Sequence, residues 1–275
     1  MQLPDFQRVI LAAKLYSYLG AHSDSTRVLS EGIERNPDVP HLYRHRGHFL
    51  ISQRKYEESL PDFEKATELL ENYGDDEIEY YQAELVPEMI RLIMGEPAEL
   101  LTEPTPINDE TLAELKDVYK GTLKSSTWYH YGLAHYLLGN FDEAARIYEK
   151  ALEYAIDDDM KVATLDWLYM SLQRAQQTER AKDLLDSIDT DMHIVEPSYY
   201  RRMQLYKGQM KPDELLGTDV DGRTIATQGY GVGNWYLYNG DTDNAVKTFR
   251  RVLEHGQFPA FGYLAAEADL KRHGH

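Results

Sequence analysis

The chain has 275 residues, with 29 Lys and Arg against 47 Asp and Glu, a formal charge of −18 and no cysteine. Disulfides, cysteine-ligated zinc, iron–sulfur clusters and cysteine nucleophiles are therefore excluded, and the acidic balance argues against a nucleic-acid partner, which needs a basic face to displace counterions. Hydrophobic residues make up 42% and charged residues 28%, the proportions of a folded chain, and no apolar run reaches the roughly 18 residues of a membrane span.

Met1-Gln2-Leu3-Pro4-Asp5 lacks a basic segment followed by an apolar core, so no signal peptide is expected and the cytoplasm is the default compartment. From Phe6 the chain reads in blocks of 34 residues: 6–39 and 40–73 align without a gap. Ala13 and Gly47 hold the eighth place, Ser25 and Ser59 the twentieth, Leu29 and Phe63 the twenty-fourth, Gly32 and Ala66 the twenty-seventh. Residues 74–124 interrupt the period. They open acidic at Asp75, Asp76, Glu77 and Glu79, read helical from Leu85 to Met94, break at Glu103-Pro104-Thr105-Pro106, and resume as a helix capped by Asn108 and running through Tyr119.

Block 125–158 restores the scheme with Gly132, Ala144, Tyr148 and Ala151 at the eighth, twentieth, twenty-fourth and twenty-seventh places. Block 162–195 follows with Leu165, Leu168, Leu172, Ala181 and Leu185, although Tyr169 stands at its eighth place. Residues 197–218 read as a compressed helix pair whose second member opens at Pro212-Asp213-Glu214. A loop, Asp219-Val220-Asp221-Gly222, leads to block 226–259, with Gly233, Ala245, Phe249 and Val252 in the expected places. The segment 259–272 is expected to be a capping helix with a polar outer face.

The pattern is that of two antiparallel helices. Small residues at the eighth and twentieth places let the backbones approach, and large apolar residues fill the space beside them. Gly139-Asn140-Phe141-Asp142 and Asn239-Gly240-Asp241 are the signals that stop one helix and cap the next. One pair cannot bury its apolar face alone, so the pairs must stack.

This arrangement resembles the tetratricopeptide repeat (TPR), above all in Trp128-Tyr129-His130-Tyr131-Gly132-Leu133-Ala134-His135-Tyr136 followed by Ala144. Tyr43-Arg44-His45-Arg46-Gly47-His48, Asp166-Trp167-Leu168-Tyr169-Met170, Gly229 to Tyr236 and Ala260-Phe261-Gly262-Tyr263 are further similar to a group of bacterial TPR proteins without an assigned activity. The resemblance implies an all-α, right-handed α-solenoid forming a single domain over 1–275, and a concave groove lined by the second, fifth, ninth, twelfth and thirteenth places of each repeat. Carried over place by place, it assigns Lys14, His41, Arg44, His48, Tyr129, Tyr136, Tyr230, Asn234 and Tyr238 to the groove. The clamp that chaperone-binding members use for a terminal carboxylate needs Lys and Asn where this chain has Ile10 and Lys14.

Four of these residues form a basic cluster and four are tyrosines, the side chains that anchor protein recognition. The expected function is a non-enzymatic adaptor or scaffold that binds a protein or peptide bearing an acidic group near the first two blocks. The plainer alternative is that the tyrosines pack on neighbouring repeats and the cations pair with local carboxylates. An enzyme built between 74–124 and the groove, and a self-assembling structural module, are the other readings.

Other constellations carry less. His41, His45 and His48 share one helical face, but Arg44 and Arg46 stand among them and no carboxylate joins them, so no metal is expected. Gly229-Tyr230-Gly231-Val232-Gly233 lacks the spacing of a phosphate loop, and Gly233 reads as helix packing. Asp219-Val220-Asp221-Gly222 lacks the closing glutamate of a calcium loop, where Tyr230 stands instead. Asp157-Asp158-Asp159 reads as a solvated turn. No catalytic residue and no cofactor is assigned.

Overall fold

A computed structural model describes residues 5–75, 122–188, 191–217, 222–256, 258 and 260–275. The described residues form thirteen α-helices and no β-strand, in adjacent pairs of the α-solenoid type. The predicted elements of 76–121 and the loop 219–221 lie outside them. The chain divides into two compact units, Met1–His130 and Tyr131–His275.

The first unit holds α1 (Asp5–Tyr18), α2 (His22–Arg35), α3 (Pro40–Ser52) and α4 (Tyr56–Leu69), the last ending in a short 3-10 turn. Helix α5 (Leu123–Leu138) contains the division between the units. The second unit continues with α6 (Phe141–Leu152), α7 (Asp158–Arg174), α8 (Thr178–Asp186), α9 (Pro197–Tyr206), the single turn α10 (Pro212–Leu215), α11 (Gly222–Tyr238), α12 (Thr242–Glu254) and α13 (Phe261–Arg272).

The spacing of each pair is set where a ring of the second helix lies on bare backbone of the first. A Cβ added to Gly132 would stand 2.9 Å from the Tyr148 ring, and one on Gly47 would stand 2.8 Å from Phe63. Gly233 meets Phe249 more tightly still. On the facing helices Ser25, Ser59, Ala144, Ala181 and Ala245, all at the twentieth place, are completely buried. In the first unit Val9, Ile10, Ala13, Leu29, Leu42 and Phe49 fill the space beside the contact.

Each first helix stops in the same way. The N–H of Asn140 donates to the His135 carbonyl at 2.9 Å and that of Gly139 to Tyr136 at 3.0 Å. These are the two bonds of a Schellman ending, which places the residue between them in the left-handed region. Gly139 takes φ +85° there, and Gly20 and Gly240 do the same in their pairs. Arg54 and Gln176 occupy the identical place with φ of 62° and 60°, where a Cβ is strained.

Three details depart from the sequence expectations. Asp241 caps α12 through Asn244 N–H at 3.1 Å, whereas Asn140 makes no side-chain cap to α6. The acidic triplet is no mere solvated turn: Asp157 caps α7 through Met160 N–H at 2.7 Å, while Asp158 accepts from His193 N–H at 2.8 Å and Asp159 from Glu196 N–H at 2.9 Å, so two of the three carboxylates tie the 191–196 segment to the start of α7. The terminal helix α13 buries Gly262, Tyr263, Leu264, Ala265, Ala266, Asp269 and Leu270, so its inward face holds an acidic residue that the sequence reading does not anticipate.

Backbone strain at Gln176 and the ring contact at Gly132 give opposite expectations for the smallest substitutions. Gln176→Gly relieves the left-handed strain and is expected to raise stability by about 0.5–1 kcal/mol. Gly132→Ala forces the Tyr148 ring aside and is expected to cost about 1–3 kcal/mol. Urea unfolding of the two variants beside the parent checks both signs.

Candidate functional site

In the first unit the predicted residues Lys14, His41, Arg44, His48 and Tyr129 come from α1, α3 and α5, and His45 and His130 join them. Arg44 and Lys14 are 3% and 9% exposed. Places 41, 44, 45 and 48 project from one stripe of α3, as helical periodicity requires. The Arg44 guanidinium lies 3.1 Å from His45 Nδ1. Guanidinium only donates, so this nitrogen accepts and His45 carries its proton on Nε2. His130 takes the other tautomer, because its Nδ1 lies 2.6 Å from the Ser126 carbonyl and must donate to it. The His48 and His130 rings stack with centroids 4.6 Å apart, and His41 packs against Phe6 and Tyr73.

Burial, reinforced by the Arg44 charge, pushes His41 down to about 3. The same two causes bring His130 down to about 3, against the opposing bond to Ser126. Burial also holds His45 and His48 well below the ordinary range, with Arg44 and Lys14 adding to it. The site therefore combines two cations with four neutral imidazoles. Arg46, expected among them, turns away to bond Asp62 at 2.6 and 2.8 Å and Ser30 at 2.9 Å. Among the described residues no group of three or more His, Asp or Glu is placed to hold a metal ion.

In the second unit the expected aromatic wall is interior. Tyr136 is 1% exposed, and Tyr230 and Asn234 are fully buried. The Tyr230 hydroxyl lies 2.9 Å from Asp269 Oδ2 and 2.8 Å from the Tyr136 hydroxyl. One proton serves one bond, so Tyr230 donates to the carboxylate. Arg174 grips the same Asp269 with two bonds of 2.8 and 2.9 Å, donates to Asn234 Oδ1 at 3.2 Å, and lies over Phe141. Arg272 also pairs with Asp269 and donates to the Leu137 carbonyl at 3.0 Å. Burial pushes Tyr136 up to about 12, so the hydroxyls remain protonated donors. Tyr238 is half-buried, its ring edge-on to Tyr169 and Tyr206. The tyrosines were placed on the right helices, but α13 covers what an open groove would expose. Its Asp269 stands, with Glu267, in an otherwise apolar stretch, the one sequence signal for this network.

A second buried ion pair, Arg202 with Asp166 at 2.7 Å, lies between α9 and α7. Burial pushes Asp166 up to about 6 although Arg202 opposes it.

Helix pairs with this period and these contacts define a helical-repeat protein. Tetratricopeptide repeat models match residues 40–73, 125–158 and 229–255. The chain thus carries tetratricopeptide repeats, which generally mediate protein–protein interaction or scaffolding. Among curated proteins, none matches it. Among the described residues no helix is long and apolar enough to cross a membrane.

The histidines predict a pH response whose sign follows from their folded values lying below the unfolded value near 6.5. As pH falls below about 6.5 the unfolded chain binds protons that the folded chain refuses, so stability is full above that point and declines toward about 3. Each histidine contributes up to about 1.4 kcal/mol per pH unit in this window. Urea midpoints at about pH 7.5 and 5.5, above the main carboxylate range, are expected to fall with pH, and equal midpoints would contradict the neutral cluster. In the second unit Asp269→Asn leaves Arg174 buried without its counter-charge and is expected to cost about 3 kcal/mol, read as a lowered thermal and urea midpoint.

Proposed function

We propose that the protein is a non-enzymatic adaptor whose first unit binds a peptide through an acidic side chain. The observation that carries this is the buried cluster of Lys14, His41, Arg44 and His48, with Tyr129 on the neighbouring helix, which gathers two basic side chains in a chain of net charge −18. The neutral histidines add hydrogen-bonding and stacking surface without adding charge, and Tyr129 supplies a rigid aromatic flank. A carboxylate arriving here meets charge-assisted bonds in a desolvated setting, where such bonds are strongest. A nucleic-acid partner is disfavoured by the overall charge. The reading as an enzyme rests on 74–124, most of which lies outside the described residues.

The test is fluorescence anisotropy with a panel of labelled peptides, each made with glutamate and with glutamine at one position. The glutamate forms are expected to bind the parent protein and to lose about tenfold or more in affinity, the equivalent of one charge-assisted bond, on Arg44→Gln. Thermal melting of the variant establishes that it is folded. Equal binding of the glutamate and glutamine forms, or equal binding by parent and folded variant, overturns the proposal.

A further inference from the structure

The second unit contains an open cavity of about 230 Å³, lined by Trp167, Tyr199, Arg202, Thr227, Phe261 and Gly262. Its lining includes none of Asp269, Arg174 and Arg272. Trp167 is 1% exposed and its indole N–H has no hydrogen-bond partner. The plane of the indole is fixed by stacking, with centroids 5.8 Å from Tyr230 and 6.3 Å from Tyr148. Buried donors are nearly always satisfied, and this one, with almost no accessible surface at the nitrogen itself, is reached by an acceptor through a small in-plane shift of the indole at the cavity wall.

Arg202 supplies a second donor. Its Nε faces the Tyr206 hydroxyl at 3.4 Å, one Nη1 hydrogen serves the Thr227 carbonyl at 3.2 Å, and Nη2 is engaged by Asp166 at 2.7 Å and by Met170 Sδ at 3.1 Å. A guanidinium has five N–H groups, so one on Nη1 remains. The charge of Arg202 is already matched by Asp166, which is itself fully buried. An anion entering the cavity would gain no net counter-charge and would be repelled by Asp166, whereas a carbonyl oxygen, with two lone pairs and no charge, suits two donors. Tyr199 and Phe261 supply aromatic walls, and the volume is below the roughly 300 Å³ of a drug-sized pocket. It holds one ring and one polar group.

We propose that this cavity is a binding subsite for a planar, uncharged group that joins an aromatic ring to a carbonyl oxygen. The source is either a free aromatic amide or an aromatic residue of a peptide with its adjoining carbonyl, and the chemistry recognised is the same. The subsite stands independently of the adaptor reading, since it lies in the other unit and makes no use of the basic cluster.

The test uses the full chain labelled with ¹⁵N. Its three tryptophans give three indole resonances, and Trp167→Phe identifies the one that belongs to this cavity. Benzamide, benzoate, toluene and N-acetylphenylalaninamide are titrated separately to about 10 mM, a concentration suited to fragment-strength binding. Benzamide is expected to move the Trp167 indole resonance downfield and saturably, benzoate to bind at least about tenfold more weakly, and toluene to leave the N–H resonance in place. Tighter binding of N-acetylphenylalaninamide than of benzamide points to a peptide, and the reverse order to a small molecule; both support the subsite. Thr227→Leu, which narrows the cavity, and Tyr199→Leu, which removes an aromatic wall, are each expected to weaken benzamide by about tenfold or more while the other two indole resonances keep their positions. The proposal is overturned if no amide moves the Trp167 resonance, if benzoate binds as tightly as benzamide, or if both folded variants bind like the parent.

Discussion

Where Tyr148 lies against Gly132 there is no side chain between an aromatic ring and the backbone of the facing helix, and that contact sets how closely the two helices run. With the helices this close, the twentieth place has room only for serine or alanine, and the apolar residues at neighbouring places are forced outward along both flanks. Those flanks are what a single pair cannot cover. The need to stack and the turn that must reverse direction within three residues both follow from the one approach distance.

Stacking creates interior positions that are reached from three or more helices, and in both units such positions hold charge. The two units treat it differently. Asp269 is held by Arg174, Arg272 and Tyr230, so its lone pairs are occupied and its charge is answered by guanidinium groups from α7 and α13. Removing either kind of partner exposes a desolvation cost that the intact network hides, which is why such networks fix one arrangement of helices even where they add little net stability. Around Arg44 and Lys14 the surroundings are instead imidazoles that burial and the adjacent cations keep neutral.

The parts of this arrangement legible in sequence are those determined within one repeat. Glycine at the eighth place with an aromatic at the twenty-fourth specifies the pair, and Gly139 and Gly240 mark the left-handed ending. The same reasoning places Lys14, His41, Arg44 and His48 together, because helical periodicity and a 34-residue repeat put them on matching faces. What was not legible depends on contacts between distant segments. Tyr136 and Tyr230 are expected in an open groove, but whether a face is open depends on what lies over it, and both are interior beside Asp269, 95 residues from Arg174. The stacking of His48 with His130 is likewise invisible to periodicity. Arg54 and Gln176 show the converse: the turn is imposed strongly enough by the surrounding pair that a strained residue is tolerated where glycine would be chosen locally.

The difference between the two polar interiors bears on what each can recognise. In the first unit the rings of His41, His45, His48 and His130 are kept neutral by burial, and protonating any of them would place a further positive charge beside Arg44. In the second unit each buried guanidinium is matched by a carboxylate, so nothing is left to attract an ion, and the donors that remain, the Trp167 indole and one Arg202 N–H, select by shape and by the direction of a lone pair. In the second unit, where Arg174 and Arg202 each face a carboxylate, only a neutral acceptor can enter without disturbing the ion pairs that hold the helices in place.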